Sequence, residues 1–167
     1  MVVMGVSGCG KSAVASGLAA AFGLRCVDAD DLHSAEAVAA MRAGIALTDD
    51  DRWPWLDRVG AVLADAQGHP DGVVVACSAL RRAYRERLRG ACAGLRFVFL
   101  DGDEPTIAAR LAQRQGHYMP PSLLRSQLRT LERPGEGEAD VLHVDITTGL
   151  DVLVARTHER LAAAFGA

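Results

Sequence analysis

The sequence predicts an α/β fold in which a parallel β-sheet is covered by helices on both faces. Short apolar runs alternate with longer segments of helical periodicity along the chain, and this alternation is typical of a parallel sheet. The run 73–77 is continuously apolar and rich in valine, as expected of a strand buried on both faces. A chain of 167 residues can bury one sizeable core, so we expect a single domain over residues 1–167.

Local signals define the individual elements. Gly23 is expected to end the first helix, and Thr48 to Asp51 resembles a capping box before a longer helix. Pro54 is compatible with that helix only in its first turn. The predicted strands are 2–4, 25–27, 73–77, 96–100 and 141–146, and the predicted helices are 11–22, 34–43, about 48–66, 81–92, 104–115, 122–132 and 150–165.

Composition excludes several classes of partner. The net charge is −3, with 18 basic and 21 acidic residues, so no broad field for nucleic acid is expected. No apolar run approaches the length of about 20 residues that a membrane span needs, and the first residues lack the basic region of a secretory signal. The four cysteines form no C-x-x-C pair, so we expect a reduced, cytoplasmic protein.

Residues 5–12 read GVSGCGKS and fit the phosphate-binding pattern G-x-x-x-x-G-K-[ST]. Glycines let backbone N–H groups turn toward a phosphate, and the helix that follows presents its positive end to the same anion. Lys11 is the only lysine in the chain, and we expect it to reach the β- and γ-phosphates of ATP. The predicted ATP-binding loop consists of Gly5, Val6, Ser7, Gly8, Cys9, Gly10, Lys11 and Ser12.

A second interpretation of the same residues is a dinucleotide site. Residues 8–13 also fit G-x-G-x-x-A, and Asp28 and Asp30 lie near the distance expected of a ribose-binding carboxylate. A dinucleotide site has no use for a Lys-Ser pair at positions 11 and 12, so the phosphate-loop interpretation is favoured.

Carboxylates follow the second predicted strand. Asp28 and Asp30 are two residues apart on a segment predicted to be extended, so they should point the same way. We predict that Ser12 and Asp28 hold Mg²⁺ and that Asp30 accepts a proton from the attacking hydroxyl, as phosphoryl transfer requires. The alternative role, capping of the next helix, fits Asp31 best.

Arginines are expected to ring this site. Arg110 and Arg114 are four residues apart and share a helix face, so they would clamp the ATP phosphates when a lid closes. Arg52 would either bind a substrate carboxylate or neutralise the aspartates before it. Arg81 and Arg85 follow the third strand. Trp53 and Trp55 are interpreted as packing residues.

Together, these segments resemble the sequences of one family, the small phosphate-loop gluconokinases. The resemblance runs from about residue 5 to residue 146. It is carried by the segments GVSGCGKS (5–12), DADDLH (28–33), MRAGIALTDDDRWPWL (41–56), ACSALRRAYRERLR (76–89), FVFLDG (97–102) and RQGHYMPPSLLRSQLRTLE (114–132).

The resemblance implies ATP-dependent, magnesium-assisted phosphorylation of D-gluconate at its 6-hydroxyl. It also implies a nucleoside-monophosphate-kinase-like P-loop fold with strand order 2-3-1-4-5, a helical lid at about 114–135 and, in many members, a homodimer. Carried over by position, Lys11, Asp30 and Arg114 would be catalytic. The loop and Arg110 would bind ATP, and the acceptor would be bound by Asp30, His33, Arg52, Arg81 and His117.

The chain departs from the family pattern at Ser34, Ala37, Ala40, Ala46 and Arg81, so a related sugar acid stays open as the acceptor. A shikimate-like kinase is a further alternative, but it would need a glycine-rich turn after the third strand. A regulatory module that binds ATP without transferring phosphate is the alternative of another class.

Overall fold

A five-stranded parallel sheet forms the centre of the fold in the computed structural model, which describes residues 1–67, 69, 71–113 and 121–165. The strands are β1 (Val2–Met4), β2 (Arg25–Asp28), β3 (Val73–Ala76), β4 (Phe97–Asp101) and β5 (Val141–Asp145). The helices are α1 (Lys11–Phe22), α2 (Ala35–Arg42), α3 (Asp49–Ala66), α4 (Arg82–Ala91), α5 (Glu104–Gln113), α6 (Pro121–Thr130) and α7 (Leu150–Phe165), with a short 3-10 helix at Ala29–Leu32.

The strand order is β2-β3-β1-β4-β5 and every pairing is parallel, as predicted. Val2 of β1 pairs with Val75 on one side and with Phe97 on the other. Since the strands are parallel, their carboxyl ends meet at one edge of the sheet, where ligands bind in open α/β folds.

Helices cover both faces of the sheet, each over its own apolar cluster. Side chains of β1 alternate between the faces, so Val2 and Met4 pack under α3 and α4, whereas Val3 packs under α1 and α7. All four residues of β3 are buried, which confirms the prediction of a strand buried on both faces. Among the described residues, no helix combines the length and apolarity needed to cross a membrane.

Most element boundaries agree with the prediction to within one or two residues. Helix α1 ends at Gly23, which lies in the left-handed region at φ 68°, and the capping box of Thr48 and Asp51 is formed at the start of α3. The expectation for Pro54 is wrong, because it is the sixth residue of α3 and so lies in the second turn. Its missing N–H costs that turn a single helical bond, to the carbonyl of Asp50.

An ion pair inside the protein joins α4 to the loop before β5. Arg85 is fully buried, and its guanidinium donates to both carboxylate oxygens of Glu138 at 2.7 and 2.6 Å. It also donates to the carbonyls of Ala79 and Leu80, each at 3.2 Å. Ala79 has φ 40°, a conformation that costs a non-glycine residue about 1–2 kcal/mol, and these contacts hold the turn in place. Arg85 is therefore structural, which corrects its expected place around the site.

We expect Glu138→Gln to lower the free energy of unfolding by about 3–5 kcal/mol, because the buried guanidinium of Arg85 loses its counter-charge. Hydrogen bonds from Arg85 hold the pKa of Glu138 at about 2, against an ordinary value of 4.5. The stabilisation of the fold by the ionised Glu138 is complete above pH about 4.5 and is lost as the pH falls toward 2. Urea denaturation between pH 3 and 7 should show a flatter pH dependence in the variant.

The control for this substitution is Glu86→Gln, which removes an exposed carboxylate of α4 that pairs with Arg82 and Arg89. Exposed pairs contribute about 0–1 kcal/mol, so this variant should stay close to the wild type. A loss of stability that is equal in the two variants would contradict the structural role of the buried pair.

Candidate active site

The loop 5–12 joins β1 to α1 at the carboxyl edge of the sheet, as the sequence motif predicts. Gly5 lies at φ 145°, and a Cβ atom there would sit 2.8 Å from Cys9 Sγ and 3.0 Å from the carbonyl of Leu100. Gly10 lies at φ 101° and is the N-cap of α1. These positions require glycine, because a side chain would be strained or would clash. The loop therefore brings its backbone and the first turn of α1 to the place where a phosphate would bind.

One peptide unit of the loop is held from both sides. The carbonyl of Val6 accepts from Lys11 Nζ at 3.1 Å. The N–H of the same unit, on Ser7, donates to Gln127 Oε1 of α6 at 2.6 Å. Lys11 and α6 thus contact opposite ends of one peptide unit of the loop.

The thiol of Cys9 plays no part in this polar arrangement. Cys9 is only 1% exposed, and burial raises the pKa of its thiol. It fills the space beneath Gly5 and is a packing residue.

Asp28 is extended as the last residue of β2, but Asp30 lies on the 3-10 helix, so the expectation of one extended segment under both carboxylates is wrong. Residues 29–32 form the short 3-10 helix, and Asp28 is its N-cap, with Oδ1 accepting from the N–H of Asp30 at 3.0 Å. The capping role expected of Asp31 therefore belongs to Asp28. The other oxygen of Asp28, Oδ2, accepts from Ser12 Oγ at 2.7 Å.

Ser12 and Asp28 fit a magnesium ion by their chemistry. A hydroxyl and a carboxylate oxygen stand side by side at the loop, and both are the hard oxygen donors that Mg²⁺ takes. Within the described part of the chain, no group of three or more His, Cys, Asp or Glu residues could hold a metal ion. An ion here would therefore take its remaining ligands from phosphate oxygens and water, as magnesium does in such sites.

Two arginines share one carboxylate beside the site. Arg81 Nη1 lies 2.6 Å from Asp49 Oδ2, and Arg52 Nη1 lies 3.4 Å from Asp49 Oδ1. Arg52 therefore does neutralise an aspartate, one of the two roles left open by the sequence. Tyr84 completes the cluster, because its hydroxyl donates to Asp49 at 2.5 Å and accepts from Arg52 at 3.1 Å.

The sequence did not indicate a role for Tyr84. Its one signal is its spacing of three residues from Arg81, which places the two on one face of the chain as α4 begins. Both guanidinium groups lie over its ring, 5.8 Å away for Arg52 and 6.0 Å for Arg81. Burial, followed by the hydrogen bond to Asp49, raises the pKa of Tyr84, so its hydroxyl stays protonated and able to donate.

His33 is stacked on a buried tryptophan. Its ring lies 4.4 Å from that of Trp55 with an interplanar angle of 8°, and Trp55 Nε1 donates to the carbonyl of Ala29 at 2.6 Å. The interpretation of Trp55 as a packing residue is confirmed. The Nδ1 atom of His33 is buried and has no hydrogen-bond partner among the described residues, so it is a polar atom available to a ligand.

Arg110 lies at the loop, as predicted. It donates to the carbonyl of Cys9 at 3.4 Å and to the carbonyl of Ile146. Arg114 and His117 lie outside the described residues, so their roles stay predictions. Asp101, the last residue of β4, pairs with Arg133, and Asp103 caps α5 by accepting from the N–H of Thr106.

A cavity of about 740 Å³ opens beside the loop and brings most of these side chains together. Its walls include Ser7, Lys11, Asp30, His33, Arg52, Ser78, Tyr84, Ser126 and Gln127. Lysine and arginine side chains thus face a carboxylate and an unpaired imidazole nitrogen across one space. Gln127 is the second residue to which the sequence assigned no role. Its one signal is its place in the segment 114–132 that resembles the gluconokinases.

A lysine–serine phosphate loop that faces carboxylates at the edge of a 2-3-1-4-5 parallel sheet is the arrangement of the P-loop kinases. The sequence profile of the AAA domain family matches residues 1–134. A gluconokinase of Gluconobacter oxydans (strain 621H) is 48% identical over 138 residues, covering 83% of this chain and 78% of that protein.

Two further relatives cover nearly the whole chain. The thermoresistant gluconokinase of Escherichia coli (strain K12) is 42% identical over 158 residues, covering 95% of this chain and 90% of that protein. A crystal structure of a gluconokinase from Sinorhizobium meliloti 1021 superposes with a TM-score of 0.84 at 46% identity, covering 98% of this chain and 95% of that one. The chain belongs to the gluconokinase family.

We expect the imidazole of His33 to titrate below its ordinary value of 6.5, because burial lowers its pKa more than the nearby Asp30 raises it. The nearby Arg58 and Arg52 lower it further. The folded state disfavours the proton, so this group reduces stability as the pH falls through 6.5. An NMR titration of the imidazole protons should give a midpoint under 6.5, and a midpoint at or above 6.5 would contradict the burial described here.

Proposed function

We propose that this protein transfers the terminal phosphoryl group of ATP to the 6-hydroxyl of D-gluconate, giving 6-phospho-D-gluconate and ADP. The observation that carries the proposal is that Lys11 and Asp30 line the same cavity. A phosphate-binding cation and a proton-accepting carboxylate are thereby available to one reacting pair. The relatives named gluconokinases supply the identity of the acceptor.

The nucleotide half of the site is the loop 5–12 with Arg110. Backbone N–H groups of the loop and the first turn of α1 would bind the phosphates. Lys11 would exchange its bond to the carbonyl of Val6 for a bond to a phosphate oxygen. Ser12 and Asp28 would hold Mg²⁺, which supplies charge neutralisation on the phosphate oxygens.

The acceptor half of the site lies between α3, α4 and the 3-10 helix. Arg52 and Arg81 carry two positive charges against the single carboxylate of Asp49, so an anionic acceptor is attracted. The buried Nδ1 of His33 would bond to an acceptor hydroxyl. In the transfer step, the hydroxyl oxygen bonds to the γ-phosphorus as the bond to the β–γ bridging oxygen breaks, and the hydroxyl proton passes to the carboxylate of Asp30.

Residues 114–135 are proposed to form a lid within a single domain. Support comes from α6, which reaches the loop through the bond between Gln127 and Ser7. Arg114 and His117 would approach the substrates from this segment. A cytoplasmic location is proposed because all four cysteines are free thiols, the usual state in a reducing compartment. Assembly as a homodimer is proposed from the family resemblance.

The function is tested by an assay with Mg-ATP and a panel of acceptors: gluconate, its epimers and shikimate. We expect gluconate to give the highest kcat/KM. Lys11→Ala should lower kcat with gluconate by at least two orders of magnitude, because the phosphate loses its cation, whereas the thermal midpoint should change little. Shikimate as the preferred acceptor, or an unchanged kcat in the variant, would contradict the proposal.

Asp30→Asn tests the proposed base. The amide keeps the size of the carboxylate but cannot accept the proton, so we expect ATP binding within about threefold of the wild type and loss of nearly all transfer. General bases contribute about 10²–10⁴-fold. Calorimetric binding of ATP and the rate of ADP release give the two readouts. Asp31→Asn, one residue along the same 3-10 helix, is the matched control and should transfer phosphate at close to the wild-type rate. Full activity of Asp30→Asn would exclude Asp30 as the base.

A further inference from the structure

Gln127 contacts the phosphate loop from a distant part of the chain. Its Oε1 accepts the N–H of Ser7 at 2.6 Å, across 120 residues of chain. Because Ser7 N–H is a donor, the atom that it meets must be the amide oxygen. Among the described residues, the two protons of Nε2 have no hydrogen-bond acceptor.

The part of α6 that carries Gln127 packs against the core. Leu124 is 3% exposed and packs in the core, with Leu128 and Leu131 against the same cluster. Just beyond the helix, the N–H of Glu132 donates to the carbonyl of Leu80 at 2.9 Å. The side chain of Glu132 accepts from the N–H of Arg82 at 2.7 Å. The backbone that carries Gln127 is therefore tied to the turn after β3.

Gln127 also lies at the end of the loop that borders the cavity. Ser7, Lys11, Asp30 and Gln127 all line the cavity, whereas the loop residues Gly8 to Gly10 do not. A phosphate bound at the Ser7 end of the loop is thus the one next to this cavity, which in ATP is the terminal phosphate. An oxygen of that phosphate would lie within reach of the amide that contacts Ser7.

We propose that Gln127 binds the terminal phosphate of ATP, with Nε2 as donor to a phosphate oxygen, while its position on α6 links that segment to the loop. The proposal rests on the proposed function, because it requires ATP in the loop. A carboxamide suits both partners, since its oxygen accepts from Ser7 N–H and its nitrogen donates to an anion. ADP lacks the phosphate in question, so its binding should depend little on this side chain.

The test compares Gln127→Glu with Gln127→Met by calorimetric titration of ATP and ADP without acceptor. A carboxylate still accepts from Ser7 N–H but repels the phosphate, so we expect Gln127→Glu to weaken ATP binding at least tenfold and ADP binding less than threefold. Gln127→Met loses both bonds without adding charge, so we expect a loss of about threefold for ATP. Arg129→Gln changes the net charge equally on an exposed position of α6 and should stay within twofold.

The comparison of ATP with ADP separates this role from a structural one. If Gln127 only ties α6 to the loop, Gln127→Met should weaken the binding of ATP and ADP equally or leave both unchanged. Either result, or equal losses for ATP and ADP in Gln127→Glu, would overturn the proposal. If the wild type phosphorylates gluconate and both variants bind ATP like it, only the role of Gln127 falls. If the wild type binds neither nucleotide, the proposed function falls with it.

Discussion

The pairing of β1 with β3 on one side and β4 on the other is the constraint on which the rest of the structure depends. β1 is only three residues long and fully buried, so its register leaves no freedom in where the loop begins. The N–H of Gly5 donates to the carbonyl of Ser78 at 3.3 Å, which joins the loop to the turn after β3. Because the ladder is parallel, the residues that follow β2 and β3 arrive at the same edge as the loop.

Four arginines of this acidic chain show two different roles. Arg85 and Arg89 are paired with Glu138 and Asp140 and hold α4 to the loop before β5. Arg52 and Arg81 share Asp49, which leaves one net positive charge beside the cavity. The shared carboxylate offsets the repulsion between the two cations and keeps them in place for an anion. The overall negative charge of the chain is thus compatible with an anionic substrate. Exposed charges further away than a Debye length of about 8–10 Å are largely screened, so the nearby arginines dominate.

Much of this arrangement could be predicted from the sequence because its causes are local. The limits of α1 and α7, the glycine that ends α1, the capping box of α3 and the phosphate loop all depend on residues within a few positions of one another. The segment after β2 was mispredicted for the opposite reason. Its 3-10 turn is stabilised locally by the side chain of Asp28, which accepts from Asp30 N–H. It is also stabilised by Trp55, which lies 26 residues away and donates to the carbonyl of Ala29, and no local sequence pattern predicts that contact.

By itself, the sequence determined the alternation of strands and helices, the phosphate loop and the family, because periodicity, glycine spacing and a lysine–serine pair are properties of short segments. Only the tertiary structure decided which arginine is buried with Glu138 and which face the cavity, and that Tyr84 and Gln127 reach the site. The physical reason is that these choices depend on distances between elements far apart in the chain. Side chains of one type are told apart only by the partners that packing brings to them.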